Sequence, residues 1–371
     1  MSKEDRATGL MRLAIVEAEH GLGRTSPNPA VGCVIACGDR VVGRGFHARV
    51  GAPHAEAVAL ASAGAHARGA DAYVTLEPCD HYGRTPPCSK ALIEAGVRRV
   101  FVGARDPNPI VNSRGMRRLR KAGIEVVTGV LTDECRALNT PYEHAFETGR
   151  PYVLAKWAMS LDGKIADATG HSRWVTSEPA RELGHRLRNQ LDVILVGVGT
   201  VLADNPKLTC RVPGGRDPVR IVADSQARTP PGARVVRMAK GSTAPTLIAV
   251  TAGAPAKRRA ALERAGAQVL ECRANQGRVD IRDLLRHVRE LGWLSVLVEG
   301  GPTVMAGFLQ ARLIDVVYAF VAPKVIGGAG AKGAVGGERV FALRDALALD
   351  FVAMQQLGPD LLIVGKPSHR P

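Results

Sequence analysis

Short apolar runs alternate with segments of helical length through most of this 371-residue chain. In the first half, the runs "AVGCVIA", "RVVGRGFH", "AYVTL" and "RRVFVGA" have the length of strands, and helix-length segments follow several of them. Strands separated by helices in this way are typical of a sheet with helices packed on its faces. The pattern therefore predicts an α/β protein whose first half is a three-layer sandwich.

The second half of the chain alternates in the same manner. Its strand-like runs include "YVLAKWA", "DVILVGVG", "VRIVADS", "TLIAVT" and "SVLVEGG", and two more, "VVYAFVAP" and "DLLIVGK", follow near the end. This order predicts a second α/β domain with a mostly parallel sheet and an antiparallel end. A chain of this length is expected to form two domains. We place the boundary at the turn "TGRP", which gives domains of residues 1–149 and 150–371.

The net charge of +15 raises the question of nucleic-acid binding. Residues 1–149 carry 19 basic and 16 acidic side chains, whereas residues 150–371 carry 31 and 19, so the excess lies in the second half. Its arginines are dispersed, and the interleaved aromatic residues that would stack on bases are missing from the sequence. We expect no nucleic-acid partner and a basic surface with one or two phosphate sites.

The N-terminal sequence, the apolar runs and the cysteines indicate the compartment of the protein. The sequence has no apolar run near the roughly 18 residues that a membrane span needs. Its start mixes both charge signs with apolar residues at helical spacing, unlike a signal peptide. Seven scattered cysteines, an odd number, argue against a disulfide framework. We therefore expect a cytoplasmic protein with no membrane partner, in which special cysteines serve as metal ligands or nucleophiles.

Four residues form a candidate zinc site. His54 opens a predicted helix, Cys79 follows the strand "AYVTL", and Cys88 opens the next helix, so all three lie at strand-to-helix junctions, where α/β sites form. Zinc favours thiolate and imidazole ligands, and a catalytic zinc keeps three protein ligands and one water. Glu56 follows His54 by two residues and is expected to accept a proton from that water. The alternatives are a structural zinc, or ordinary buried His and Cys residues.

The cysteine spacing departs from the deaminase signature H-x-E…P-C-x-x-C, because eight residues separate Cys79 from Cys88. With "SPNPAVGCVI", "TLEPCDHYGRTPPC" and "DPNP", however, the first half resembles the bifunctional diaminohydroxyphosphoribosylaminopyrimidine deaminase/5-amino-6-(5-phosphoribosylamino)uracil reductase family of riboflavin biosynthesis. The resemblance implies a cytidine-deaminase-like domain with one zinc, in which Glu56 passes a proton to the departing ammonia. It also implies substrate contacts at Asn28, His81, Arg84 and Thr85. For Asn28 the alternative is turn chemistry beside proline.

The second half has no G-x-G-x-x-G fingerprint. Its segments "KWAMSLDGKIA", "SRWVTS", "LRNQLDVILVGVGTVLADNPKLTCR", "RIVADSQAR", "VEGGPTVMAGFL" and "VAPKVIGG" nevertheless resemble, in order, the reductase half of the same family. The resemblance implies a dihydrofolate-reductase-like domain that uses NADPH. It implies cofactor contacts at Ala158, Trp174, Thr200, Asp204, Ser225, Gly300 and Gly301. It implies substrate contacts at Ser172, Arg188, Leu208, Arg211 and Glu299.

Several of these assignments have plainer alternatives. The arginines could be solvated surface charges, and Trp174 could serve in core or lid packing. Gly300 and Gly301 precede a predicted helix, whose N-terminal N–H groups suit the cofactor's phosphates. The sequence shows no obvious proton donor for the reduction.

The resemblance covers nearly the whole chain and implies two consecutive steps of riboflavin biosynthesis. The first is hydrolytic deamination of 2,5-diamino-6-(5-phosphoribosylamino)pyrimidin-4(3H)-one. The second is NADPH-dependent reduction of the ribosyl group of 5-amino-6-(5-phosphoribosylamino)uracil to ribityl. We expect phosphorylated pyrimidine substrates and a homo-oligomer. Two alternatives stay open: a deaminase with a non-catalytic second domain, and an RNA-binding protein with a structural zinc.

Overall fold

The computed structural model describes residues 3–82, 86–111, 113–337 and 342–368. The chain divides into two compact units, Met1–Arg150 and Pro151–Pro371, here called the N-terminal and C-terminal units. Among the described residues, no helix combines the length and the apolar character that a membrane crossing requires.

The N-terminal unit contains one mixed sheet between two layers of helices. Its strands are β1 (Gly32–Cys37), β2 (Arg40–Phe46), β3 (Asp71–Leu76), β4 (Arg99–Ala104) and β5 (Glu125–Thr128). Its helices are α1 (Lys3–Glu19), α2 (Ala55–Ala63), α3 (Cys88–Glu94), α4 (Arg114–Lys121), α5 (Thr132–Leu138) and α6 (Thr140–Thr148). The strand order is β2-β1-β3-β4-β5, with β1 antiparallel to both neighbours and β3, β4 and β5 parallel.

Successive side chains of the central strands point to opposite faces of the sheet and so contribute to the two cores of this unit. Val34 and Tyr73 point to the side of α1 and α5, whereas Ile35 and Val74 point to the side of α2, α3 and α4. Successive residues of a strand face opposite sides of a sheet, so an all-apolar strand supplies both layers. The predicted three-layer sandwich is confirmed.

Two glycines of β2 let helix α2 approach the sheet closely. A Cβ atom on Gly43 would lie 2.3 Å from the carbonyl oxygen of Ala59, and one on Gly45 would lie 2.5 Å from the amide nitrogen of Ala59. Helix α2 therefore rests on bare strand backbone. The distance between α2 and the sheet depends on the absence of side chains at Gly43 and Gly45.

The C-terminal unit is built on a nine-stranded sheet and a small hairpin. The sheet strands are β6 (Tyr152–Ser160), β7 (Val193–Gly197), β8 (Val219–Ala223), β9 (Thr246–Thr251), β10 (Gln268–Cys272), β13 (Ser295–Val298), β14 (Val316–Ala322), β15 (Leu349–Leu357) and β16 (Asp360–Pro367). The hairpin strands are β11 (Ala274–Asn275) and β12 (Arg278–Val279). The helices are α7 (Glu178–Gln190), α8 (Val198–Asp204), α9 (Arg234–Gly241), α10 (Ala256–Arg264), α11 (Ile281–Glu290) and α12 (Pro302–Gln310).

The sheet order is β10-β9-β8-β7-β13-β6-β14-β16-β15. The strands from β10 to β14 pair in parallel, whereas β14 with β16 and β16 with β15 pair antiparallel. This confirms the predicted parallel sheet with an antiparallel end. The parallel strands end toward the same edge, where loops can form a site.

The sequence prediction was wrong at one junction. It continued the strand "DVILVGVG" to Gly199, whereas β7 ends at Gly197 and α8 begins at Val198. A continuous apolar run does not distinguish a buried strand from a buried helix, and here it contains one of each.

Candidate active sites

A cavity of about 390 Å³ in the N-terminal unit contains most of the predicted zinc site. His54, Glu56 and Cys79 line it, as do the predicted substrate residues Asn28 and His81. Cys88 lies directly behind them, buried at the first turn of α3. Arg84 and Thr85 lie outside the described residues.

The three predicted ligands converge. The distances from His54 Nδ1 to the Sγ atoms of Cys88 and Cys79 are 3.2 Å and 3.5 Å. All three donor atoms lie within 4.8 Å of one another. Tetrahedral zinc with ordinary bond lengths would place nitrogen and sulfur ligands about 3.6 Å apart. The donor types and their separations therefore fit a zinc ion.

Local sequence explains how these side chains reach one point. His54 follows Pro53 and has an extended backbone, which places it at the N-cap of α2 and Glu56 in the first turn. Pro87 occupies the N-cap of α3, with φ near its ring-imposed value, so that the helix starts at Cys88. The N–H group of Cys88 donates to Cys79 Sγ at 3.5 Å.

The electrostatics of the cluster favour a thiolate. The hydrogen bond from Cys88 lowers the pKa of Cys79 against the effect of burial, and His54 adds to the lowering, whereas the same hydrogen bond and burial raise the pKa of Cys88. Glu56 is 3% exposed, and burial followed by the charge of Cys79 raises its pKa to about 7. A buried carboxyl beside the metal ligands is thus able to exchange a proton near neutral pH.

A larger cavity of about 1650 Å³ occupies the C-terminal unit. Its wall contains eleven of the twelve residues that the sequence assigned to NADPH and the reductase substrate: Ala158, Ser172, Trp174, Arg188, Thr200, Asp204, Arg211, Ser225, Glu299, Gly300 and Gly301. Leu208 does not line it. The Leu208 side chain is 4% exposed and packs in a core with Ile194 and Val196.

Glu299 is the centre of a buried ion cluster in this cavity. Its carboxylate accepts from Lys156 Nζ at 2.9 Å and from Arg188 Nε at 2.7 Å. Burial alone would raise its pKa, but Arg188 and Lys156 lower it to about 2. Glu299 is therefore ionised, and the cluster carries one net positive charge.

Gly300 and Gly301 form the predicted cradle at the start of α12. Both have positive φ angles, 118° and 84°, which glycine adopts without strain. A Cβ atom on Gly301 would lie 3.3 Å from Thr200 Oγ1 and 3.4 Å from the amide nitrogen of Gly197. Any side chain here would fill space that a phosphate group can occupy at the helix N-terminus. This fits the pyrophosphate of a dinucleotide.

Trp174 lies over the same cavity. Its side chain is 57% exposed, which excludes the core-packing alternative. The guanidinium of Arg181 lies 4.4 Å from its ring centroid, at cation–π distance. Nearby, Ser172 Oγ donates to Asp204 Oδ1 at 3.3 Å, so a predicted substrate residue and a predicted cofactor residue are in contact.

Comparison with known proteins identifies the family. The family model described as "RibD C-terminal domain" matches residues 151–363, and that described as "Cytidine and deoxycytidylate deaminase zinc-binding region" matches residues 4–104. A riboflavin biosynthesis protein RibD of Actinobacillus pleuropneumoniae is 46% identical over 95% of this chain and 93% of its own. This chain belongs to the RibD family. The deaminase-like and reductase folds predicted from the sequence are thereby confirmed.

Other members agree. The RibD of Bacillus amyloliquefaciens is 42% identical over 96% of this chain and 95% of its own. A solved structure of Acinetobacter baumannii RibD superposes with a TM-score of 0.88 at 35% identity, covering 99% of this chain and all of that one. A solved deaminase/reductase structure from Thermotoga maritima has a TM-score of 0.87 at 35% identity, with the same coverage.

In this member of the family, the sequence interpretation missed His47. It is 3% exposed, lines the deaminase cavity and lies 5.3 Å from His54 between ring centroids. Its Nδ1 lies 3.1 Å from the carbonyl oxygen of Pro53, and its Nε2 lies 3.1 Å from Asn28 Nδ2. A neutral ring with the proton on Nδ1 satisfies both contacts. Asn28 is thus held by a side chain, which goes beyond turn chemistry.

Two acidic residues of this cavity were missed as well. Glu77 is 4% exposed in the cavity wall, and burial raises its pKa to about 7. Asp106 of "DPNP" accepts from the Tyr142 hydroxyl at 3.0 Å and from the Asn108 amide at 2.9 Å. The position of Glu77 two residues before Cys79 in "LEPC" was the one signal that could have pointed to it.

Proposed function

We propose that this RibD-family chain catalyses two consecutive steps of riboflavin biosynthesis, one in each unit. The N-terminal unit deaminates 2,5-diamino-6-(5-phosphoribosylamino)pyrimidin-4(3H)-one. The C-terminal unit reduces the ribosyl group of 5-amino-6-(5-phosphoribosylamino)uracil with NADPH. The observation that carries the proposal is the convergence of His54, Cys79 and Cys88 beside the buried Glu56 in one cavity.

In the deaminase, His54, Cys79 and Cys88 would hold the zinc. A zinc ion in such a site lowers the pKa of a bound water to about 7 and so supplies a nucleophile at neutral pH. The Glu56 carboxylate accepts the proton of that water and passes it to the amino nitrogen that leaves as ammonia. Asn28 and His81 contact the pyrimidine or its phosphoribosyl group, and Arg84 and Thr85 are assigned to the same role from the family pattern.

In the reductase, the net change is one hydride and one proton. Bound NADPH would supply the hydride for C1′ of the ribosyl group, and the proton would go to O4′ as the C1′–O4′ bond opens. Lys156 is our candidate for the proton source, because its ammonium lines the cavity beside Glu299. Glu299 holds that ammonium in place through an ion pair of 2.9 Å.

The other cavity residues are assigned by position. Gly300, Gly301 and Thr200 surround the start of α12 and would hold the cofactor's phosphates. The cofactor would also contact Ala158, Trp174, Asp204 and Ser225. Ser172, Arg188 and Arg211 would bind the substrate, with the guanidinium groups serving its phosphate.

We further propose that residues 1–149 and 150–371 are the catalytic domains and that the protein forms a homo-oligomer without a nucleic-acid partner. Strand β15 ends the nine-stranded sheet. Its side chains Phe351, Val352 and Met354 are 65%, 52% and 66% exposed. Exposed apolar residues on an edge strand are characteristic of an interface. A second copy of the chain is our candidate for covering this strand.

Neither alternative from the sequence is favoured by the comparisons, which support the bifunctional enzyme. The direct test is to incubate the purified protein with the diaminopyrimidine substrate and to identify the products by mass. Without NADPH, we expect the deaminated uracil and released ammonia. With NADPH, we expect the ribityl product. Failure to release ammonia by protein that contains zinc would refute the deaminase assignment, and accumulation of the uracil with NADPH present would refute the reductase assignment.

A further inference from the structure

His185 lies in the wall of the reductase cavity, and no sequence motif predicted a role for it. It is on α7, three residues before Arg188, so the two side chains occupy neighbouring positions on one helix face. Arg188 reaches Glu299, as described above. His185 instead reaches Arg211: Arg211 Nε donates to His185 Nε2 at 2.8 Å.

This hydrogen bond fixes the state of the imidazole. A ring nitrogen that accepts a hydrogen bond carries no proton, so the proton of His185 is on Nδ1. Burial, followed by the charges of Arg188 and Arg211, lowers the pKa of His185 to about 4. The ring is therefore neutral and remains an acceptor although cations surround it.

The bond also determines which part of Arg211 is available. Its Nε group is used by His185, and within the described residues no hydrogen bond or ion pair engages its two Nη groups. Arg188, by comparison, uses Nε for Glu299 and Nη1 for the carbonyl oxygen of Thr209 at 3.0 Å. Of the two arginines, Arg211 keeps the paired Nη donors that match two oxygens of a phosphate.

His185 Nδ1 supports a functional role. It is buried and has no hydrogen-bond partner within the described part of the chain. A buried donor without a partner is costly to the fold and is found chiefly at sites with another task.

We propose that His185 is a positioning residue of the reductase, which holds the Arg211 guanidinium by its Nε edge so that both Nη groups meet the phosphate of the substrate. The proposal rests on the proposed function, in which Arg211 binds that phosphate. His185 acts through Arg211 and takes no part in the hydride or proton transfer.

The test compares full-length variants in the reduction of the deaminated substrate at saturating NADPH. His185→Leu should raise KM about tenfold, a size ordinary for coupled neighbouring groups, with kcat little changed. His185→Gln should keep KM near the wild-type value, because its side-chain oxygen can accept in place of Nε2. The control is Arg186→Ala, which removes the neighbouring exposed side chain of α7 and should change neither constant.

A double-mutant cycle separates this proposal from the assignment of Arg211 itself. With Arg211→Ala as background, His185→Leu should have no further effect on KM, because the group it positions is gone. The same tenfold rise in both backgrounds would overturn the positioning role. An Arg211→Ala enzyme with unchanged KM would instead refute the phosphate assignment on which the proposal rests.

Loss of the fold is detected independently. NADPH affinity reports on the fold of the C-terminal unit, and deaminase activity reports on the N-terminal unit. If His185→Leu loses NADPH affinity, the KM of His185→Gln for the deaminated substrate becomes the test. A KM equal to that of the wild type supports the proposal, and a tenfold rise overturns it.

Discussion

The two cavities of this protein differ in how the chain assembles them. The zinc cluster draws its three ligands and Glu56 from the 35 residues from His54 to Cys88. His54, Glu56 and Cys88 lie at helix starts, and Cys79 follows the end of β3. The reductase cavity draws its wall from Lys156 to Gly337, across strands, helices and loops. The deaminase cavity measures about 390 Å³ and the reductase cavity about 1650 Å³.

This difference follows from the chemistry of the ligands. A metal ion is bound by few atoms at fixed short distances, so a short segment with the right residue types suffices. A dinucleotide and a phosphorylated sugar are large and require contacts from many elements. A compact site should therefore fail completely when one ligand is lost, whereas a dispersed site should lose affinity by degrees.

The largest effect is expected from Cys88→Ser. Serine is a poor zinc ligand, so the variant should lose most of its zinc and nearly all deamination, while reduction of the deaminated substrate continues. Metal analysis and separate assays of the two steps check this. Cys37→Ser, at an exposed cysteine outside the cluster, is the control and should keep about one zinc per chain. Full deamination by zinc-depleted wild-type protein would contradict the assignment.

Glu56→Gln should separate chemistry from metal binding. Glutamine preserves size but cannot accept the proton, so deamination should fall by roughly 100-fold or more at normal zinc content. Reduction should be unaffected. Glu94→Gln, at an exposed position of α3, should be silent. Joint loss of zinc and deamination would identify Glu56 as a structural or ligating residue.

Arg211→Ala tests the graded behaviour of the larger cavity. Loss of a charge-assisted phosphate contact should lower kcat/KM for reduction by about 10- to 150-fold. Lysine should restore part of the loss, because it supplies the charge without the planar pair of donors. NADPH affinity measured without substrate should barely change. A full loss of NADPH affinity at unchanged substrate saturation would move Arg211 to the cofactor's subsite.

The smallest effect is expected from separating the units. Residues 150–371 expressed alone should be soluble and should reduce the deaminated substrate at the rate of the full chain, because the C-terminal unit has its own sheet and core. The rate of NADPH oxidation measures this. An insoluble or inactive fragment would show that the boundary is misplaced or that the two units depend on each other.

Sequence patterns predicted most strands of the two large sheets, from the fully buried β3 to the half-exposed β2, and they failed at one almost fully exposed strand and at several short helices. Strand β15 was not predicted, because its exposed edge position leaves an irregular mixture of polar and apolar residues. Helices α5, α6 and α9 were also missed, since they are short and their apolar residues are few. Packing against the rest of the fold stabilises these elements, and local sequence patterns do not predict that packing.

The predictability of the site residues also depended on how far apart they and their partners lie in the sequence. The zinc ligands were predictable because their spacing is local. His47, Lys156 and His185 were not, because each is a single polar residue whose partners lie elsewhere in the chain. Lys156 meets Glu299 across 143 positions, and only the parallel pairing of β6 with β13 brings them together.

The glycines of β2 affect the position of the zinc-site residues, although β2 itself does not line the deaminase cavity. Helix α2 lies against the bare backbone at Gly43 and Gly45, and the same helix begins with His54 and presents Glu56. A single methyl group under the helix would lift it and shift both side chains. Alanine at either position is therefore expected to weaken zinc binding and deamination, although neither glycine lines the deaminase cavity.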